Sequence, residues 1–90
     1  MTTASAAGPG SFEHLRGLAR RLAVLLEPID ADAADHLTSA ADSGEEPPIA
    51  TLVLREALIV SRRSWRGVVP SPLQREVKAA LKEAKRRSAE

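Results

Sequence analysis

The chain predicts a compact all-α domain of four helices joined by short loops. Three observations lead there. Eleven Leu and sixteen Ala supply most of the apolar inventory, against two aromatics, Phe12 and Trp65. Straight-chain and small residues lose little rotamer freedom in a helix, which favours that state. Apolar residues recur at three- and four-residue spacing in four separate stretches, the period of one helix face. Proline and glycine gather between the stretches, where they interrupt helices.

The first ten residues (MTTASAAGPG) are small, uncharged and contain Gly and Pro, so composition marks 1–10 as a disordered tail and 11–88 as one domain. Ser11 is a good N-cap, with Glu13 in the first turn where the helix dipole favours a carboxylate. Phe12, Leu15, Leu18, Ala19, Leu22, Leu25 and Leu26 then form an apolar stripe of about four turns. Pro28 stops it by restricting Glu27 and supplying no amide donor. Gly17 inside this helix costs about 1 kcal/mol relative to Ala; a close helix–helix approach or simple tolerance explains it.

Asp30 or Asp32 caps a second helix, which ends at Ser43-Gly44. Its buried face is Ala33, Leu37 and Ala40 or Ala41, small-residue packing around one anchor. Glu45-Glu46-Pro47-Pro48 is an acidic turn, and Pro48 fits the start of a third helix from Ile49 to about Ser61. Leu52, Val53, Leu54, Ala57, Leu58, Ile59 and Val60 make that helix apolar on most of its circumference, so it is expected at the centre of the bundle, buried nearly all round. The run Ala57 to Val60 also has strand character, but length, the proline start and the Arg55-Glu56 interruption favour helix.

Ser61 to Pro70 reads as a basic loop. In Ser71-Pro72-Leu73-Gln74, serine is expected to cap, proline to take the first helical position and glutamine to complete a capping box. Leu73, Val77, Ala80, Leu81 and Ala84 are the stripe of the fourth helix, and Lys82, Lys85, Arg86 and Arg87 suit its C-terminal dipole.

Charge is segregated along this frame. Seven carboxylates and no Lys or Arg lie between Arg21 and Arg55, whereas Arg55 to Arg87 holds ten basic residues against Glu56, Glu76 and Glu83. The net charge of +1 hides the division. Lack of cysteine excludes disulfides, thiolate metal sites and a Cys nucleophile. The N-terminal residues lack a basic region followed by an apolar one, and no apolar run approaches the roughly 18 residues that span a bilayer. A soluble, cytoplasmic protein is expected.

Candidate chemistry is sparse. Asp30-x-Asp32 begins like a calcium loop, but Ala34, Asp35 and Ala41 stand where an oxygen ligand, the turn glycine and the final glutamate belong. His36 sits one turn after Asp32, so a carboxylate–imidazole pair is geometrically allowed, yet a catalytic or metal site needs more convergent groups. No serine stands in a nucleophile-elbow or phosphate-cradle context. The expectation is a non-catalytic protein without cofactor or metal.

Two binding surfaces remain. The acidic residues Asp35, Asp42, Glu45 and Glu46 suit docking into a basic cleft of a toxin or enzyme, because charge complementarity speeds encounter and fixes register. The alternative is nucleic-acid binding by Arg62, Arg63, Trp65, Arg66, Lys82 and Arg86, with phosphates gripped by the cations and bases stacked on the indole. Trp65 has a second reading, as an apolar plug for one end of the bundle. A homo-oligomer is the third possibility, the acidic half of one copy meeting the basic half of the next around the apolar third helix.

From Asp42 onward the pattern is a helix ending in a short acidic Gly-Glu turn, an Ala/Leu-rich helix, a loop with proline and a final amphipathic helix. With Gly44-Glu45, Ala50, Leu54, Leu58 and Pro70 at the matching places, about Ala34 to Ala84 resembles the small helical immunity proteins that partner Maf-type polymorphic toxins in bacteria. The resemblance implies a toxin-neutralising, protein-binding role.

Overall fold

The computed structural model describes residues 10–89. The helices are α1 (Phe12–Leu26), α2 (Ala31–Ala41), α3 (Pro47–Ser61) and α4 (Ser71–Ala89), with one 3-10 turn, Arg62–Ser64, after α3. The tail expected over 1–10 lies outside the described residues, except for Gly10. That glycine is buried rather than part of a tail. Its φ is +79°, and its N–H donates to His14 Nδ1 at 3.1 Å.

Local chemistry sets most boundaries. Ser11 Oγ accepts the His14 N–H at 3.1 Å, so α1 starts where a capping serine places it. Beyond Leu26 the chain turns at Pro28, and the Leu26 carbonyl accepts the Asp30 N–H at 2.7 Å. Asp30 Oδ1 then accepts the Ala33 N–H at 3.1 Å and opens α2. The buried face of α2 is Ala34, Leu37, Ala40 and Ala41, so Ala34 takes the place expected of Ala33.

α3 begins at Pro47, with Glu46 at its N-cap, two residues before the expected Ile49. Both prolines fit the first turn, whose amides need no intrahelical partner. The expectation that α3 is buried nearly all round is corrected. Ala50, Leu54, Ala57, Leu58 and Ser61 face inward, while Ile49, Leu52 and Ile59 are 52%, 57% and 50% exposed. Helices cover α3 on the sides facing α1, α2 and α4 only, and nothing among the described residues covers the rest.

The segment after α3 is ordered by Trp65, which is 3% exposed. Its Nε1 donates to Ser61 Oγ at 3.0 Å, and that hydroxyl donates to the Leu58 carbonyl at 2.7 Å. The Trp65 carbonyl accepts from Val68 and Val69, and Gly67 supplies the left-handed residue between them, φ +77°. Trp65 is therefore the plug, and the polar end of its ring is satisfied.

The start of α4 departs from the expected capping box. Pro70's carbonyl accepts the Gln74 N–H at 3.0 Å, which puts Pro70 at the cap and Ser71 inside the helix. Gln74 Nε2 turns back to the Val69 carbonyl at 2.8 Å instead of to Ser71. The glutamine side chain thus donates to a loop carbonyl, whereas in a capping box it would accept the N–H of the cap residue.

α1 and α3 form the middle pair, α2 packs on both from one side and α4 lies against both from the other. Leu15, Leu18, Leu22 and Leu26 of α1, Leu37 of α2, Leu54 and Leu58 of α3 and Val77 of α4 meet in one fully buried core. Among the described residues, no helix is long and apolar enough to cross a membrane.

Candidate functional site

The acidic residues divide into two groups. Asp35 and Asp42 lie on the α1-facing side of α2. Asp42 pairs with Arg20 of α1, and Asp35 lines a shallow groove with Arg20, Val24 and Glu27. Glu45 and Glu46 project from the α2–α3 turn, exposed and with no ion pair among the described residues. Ser43 Oγ holds this turn by accepting the Glu45 N–H at 3.1 Å. Glu46 occupies the N-cap of α3 without spending its side chain on the cap, so the carboxylate remains directed outward. Ile49 and Leu52 follow one and two turns later on the exposed side of α3. The turn thus joins two carboxylates to two uncovered aliphatic side chains, and exposed Glu56 follows one turn after Leu52.

The basic residues are sorted more sharply. On α4, Lys78, Lys82 and Lys85 follow at four and three residues and share one face. They line a groove of 360 Å³ with Arg55 and Arg62 of α3, over a floor of Ile59 and Leu81. Among the described residues, no carboxylate lines it. The acidic residues of α4 lie on the opposite flank: Glu76 meets His14 Nε2 at 3.4 Å and Arg21 at 3.5 Å, both on α1. A neighbouring hollow carries the basic seam on through Arg66 and Gln74.

Of the residues expected to form a nucleic-acid surface, Arg62 and Lys82 meet in this groove and Arg66 extends it. Arg63 and Arg86 do not. Arg86 pairs with Glu83 at 2.7 Å, and Arg63 stands near Asp30. Trp65 is buried, and its ring is not an open stacking platform; Arg62 covers it at 5.9 Å. Sequence reasoning missed Arg55, Lys78 and Lys85. The signal for two of these was in α4, since lysines at four- and three-residue spacing fall on one face; Arg55 required the α3–α4 pairing.

Asp30 is committed to structure. One oxygen caps α2 and the other accepts the Ser64 hydroxyl. The Ser64 hydrogen bond and then the Ala33 amide hold its pKa below the ordinary carboxylate value against the opposing effect of burial, with a lesser contribution from the Arg63 charge. His36 is exposed on α2. A largely apolar hollow lies elsewhere, between Val24 and Leu25 of α1 and Pro70, Pro72 and Leu73 at the start of α4. It contains a single charged side chain, Arg21, and little that would orient a ligand.

No family profile, curated protein or solved structure matches this chain.

Proposed function

We propose that the protein is a non-catalytic protein-binding module that docks through the α2–α3 turn and the outer side of α3. The observation that carries this reading is the exposure of Ile49 and Leu52, each more than half open to solvent, directly after two carboxylates that have no ion pair among the described residues. Large aliphatic side chains aligned on one helix are the usual core of a protein interface, and charges at its edge set register and encounter rate. In its concrete form the partner is a toxin or enzyme with a basic cleft, the role implied by the resemblance to Maf-type immunity proteins. Glu45 and Glu46 would enter the cleft while Leu52 packs beside it.

A photo-crosslinking residue placed at position 52, in cells of the source, tests the surface. One discrete protein adduct from position 52, and none from the same substitution at Val24, is the supporting result. With that partner purified, Glu45→Lys with Glu46→Lys slows association and makes it less salt-sensitive, and Leu52→Asp speeds dissociation. Binding indifferent to all three substitutions removes the surface assignment.

A further inference from the structure

We propose that the groove between α3 and α4 is a second docking site, and that its occupant is an acidic amphipathic helix of another protein. The site is distinct from the α2–α3 turn, because neither Glu45 nor Glu46 lines it. Two features of the groove define the ligand. Its rims are cationic along their whole length, with Arg55 and Arg62 on α3 and Lys78, Lys82 and Lys85 on α4. Its floor is aliphatic, made by Ile59, half exposed, and Leu81. A ligand that satisfies both presents an apolar stripe to the floor and carboxylates to both rims, which is the arrangement of an amphipathic helix laid in a groove.

Dimensions agree. Lys78 to Lys85 spans seven residues of helix, roughly 10 Å, enough to engage about two turns of a bound helix. The three lysines have no ion-pair partner among the described residues, so none of them must give up an internal ion pair before a carboxylate binds. α4 directs its own Glu76 toward α1, which leaves the α3 side single-signed. A nucleic-acid strand matches the charge but not the floor. Its phosphates would leave Ile59 uncovered, and the buried Trp65 gives its bases no stacking surface.

The test uses the isotope-labelled full chain and three probes: a stapled helical peptide of about four turns with a leucine stripe flanked by glutamates, the same peptide with lysines for glutamates, and a poly-dT oligonucleotide. The expected result is saturable binding of the glutamate peptide, with amide shifts confined to residues 55–62 and 78–85. Lys78→Glu with Lys82→Glu should weaken it about tenfold, as should Ile59→Gln, because each removes a separate part of the complementarity. These positions are exposed, and unchanged circular dichroism and Tm confirm that the variants fold. Glu45→Lys with Glu46→Lys should leave peptide binding unaltered, which keeps this outcome separate from that of the turn surface. No binding of the glutamate peptide at millimolar concentration overturns the proposal. Tighter binding of the oligonucleotide, or peptide binding insensitive to Ile59→Gln, overturns it as well.

Discussion

A Cβ added at Gly10 would stand 2.8 Å from the Ala84 amide nitrogen and 2.9 Å from Glu83 Cβ, at a φ of +79°. The backbone of α4 cannot retreat without leaving the core, so Gly10→Ala loosens the contact between the chain start and α4. Gly17 is the opposite case. A Cβ there meets nothing within 4 Å, so helix propensity alone decides, and Gly17→Ala should stabilise by about 0.5–1 kcal/mol. Urea unfolding of the two variants checks both signs. Trp65 and Ser61 form a buried pair in which each polar group answers the other. Ser61→Ala strands the indole N–H and should cost about 1–3 kcal/mol, whereas Trp65→Ala also empties the plug and should cost about 3–5 kcal/mol. Asp30 adds a pH signature. Its folded pKa is depressed, so its contribution is fully present above the unfolded value near 4 and is lost as pH falls through the lower folded value. The Tm difference between wild type and Asp30→Ala should therefore shrink as pH drops from about 6 toward 3. A difference that stays constant across that range would assign the effect to packing rather than to charge.

On α3 the two faces make separate predictions. Leu54→Ala and Leu58→Ala empty fully buried positions and should each cost about 2–5 kcal/mol. Leu52→Gln and Ile59→Gln alter exposed positions and should change stability by no more than about 0.5 kcal/mol. Chemical denaturation of the four variants distinguishes this one-sided burial from the all-round burial that composition alone suggests. The contrast shows what was legible in the sequence. Helix positions were, to within two residues at the start of α3, because Ser11, Pro28, Asp30 and Pro48 act on their own neighbours. The interior face of α3 was less so, because apolar residues occupy nearly its whole circumference and only the packing of α1, α2 and α4 selects Leu54 and Leu58 over Leu52 and Ile59. Gln74 donates to the Val69 carbonyl instead of accepting from a cap amide, and that depends on the loop's path. The cationic groove was half legible, in the lysine spacing of α4; its other half lies on α3, at Arg55 and Arg62, whose position opposite those lysines is a tertiary fact.

Across the whole molecule, α2 and α4 sit on opposite sides of the α1–α3 pair, and they carry opposite charge. α2 contains Asp32 and Asp35 with no Lys or Arg, and α4 contains Arg75, Lys78, Lys82, Lys85, Arg86 and Arg87 against Glu76 and Glu83. At pH 7 and low salt the protein should be retained by both cation- and anion-exchange resins despite its net charge of +1. Lys78→Glu with Lys82→Glu should weaken retention on the cation exchanger and strengthen it on the anion exchanger. Retention that follows net charge alone, with wild type passing freely through both, would show that the two faces are not separately sensed.

The sorting of α4 has a consequence for how the molecule meets others. The domain measures 35 × 28 × 27 Å, several times the Debye length of about 8 Å at physiological ionic strength. A charged body approaching one flank is shielded from the other by salt, so it does not experience a nearly neutral protein. It experiences whichever pole it faces. Two partners of opposite sign can therefore approach at once, each attracted by its own side and neither opposed by the charge on the far side.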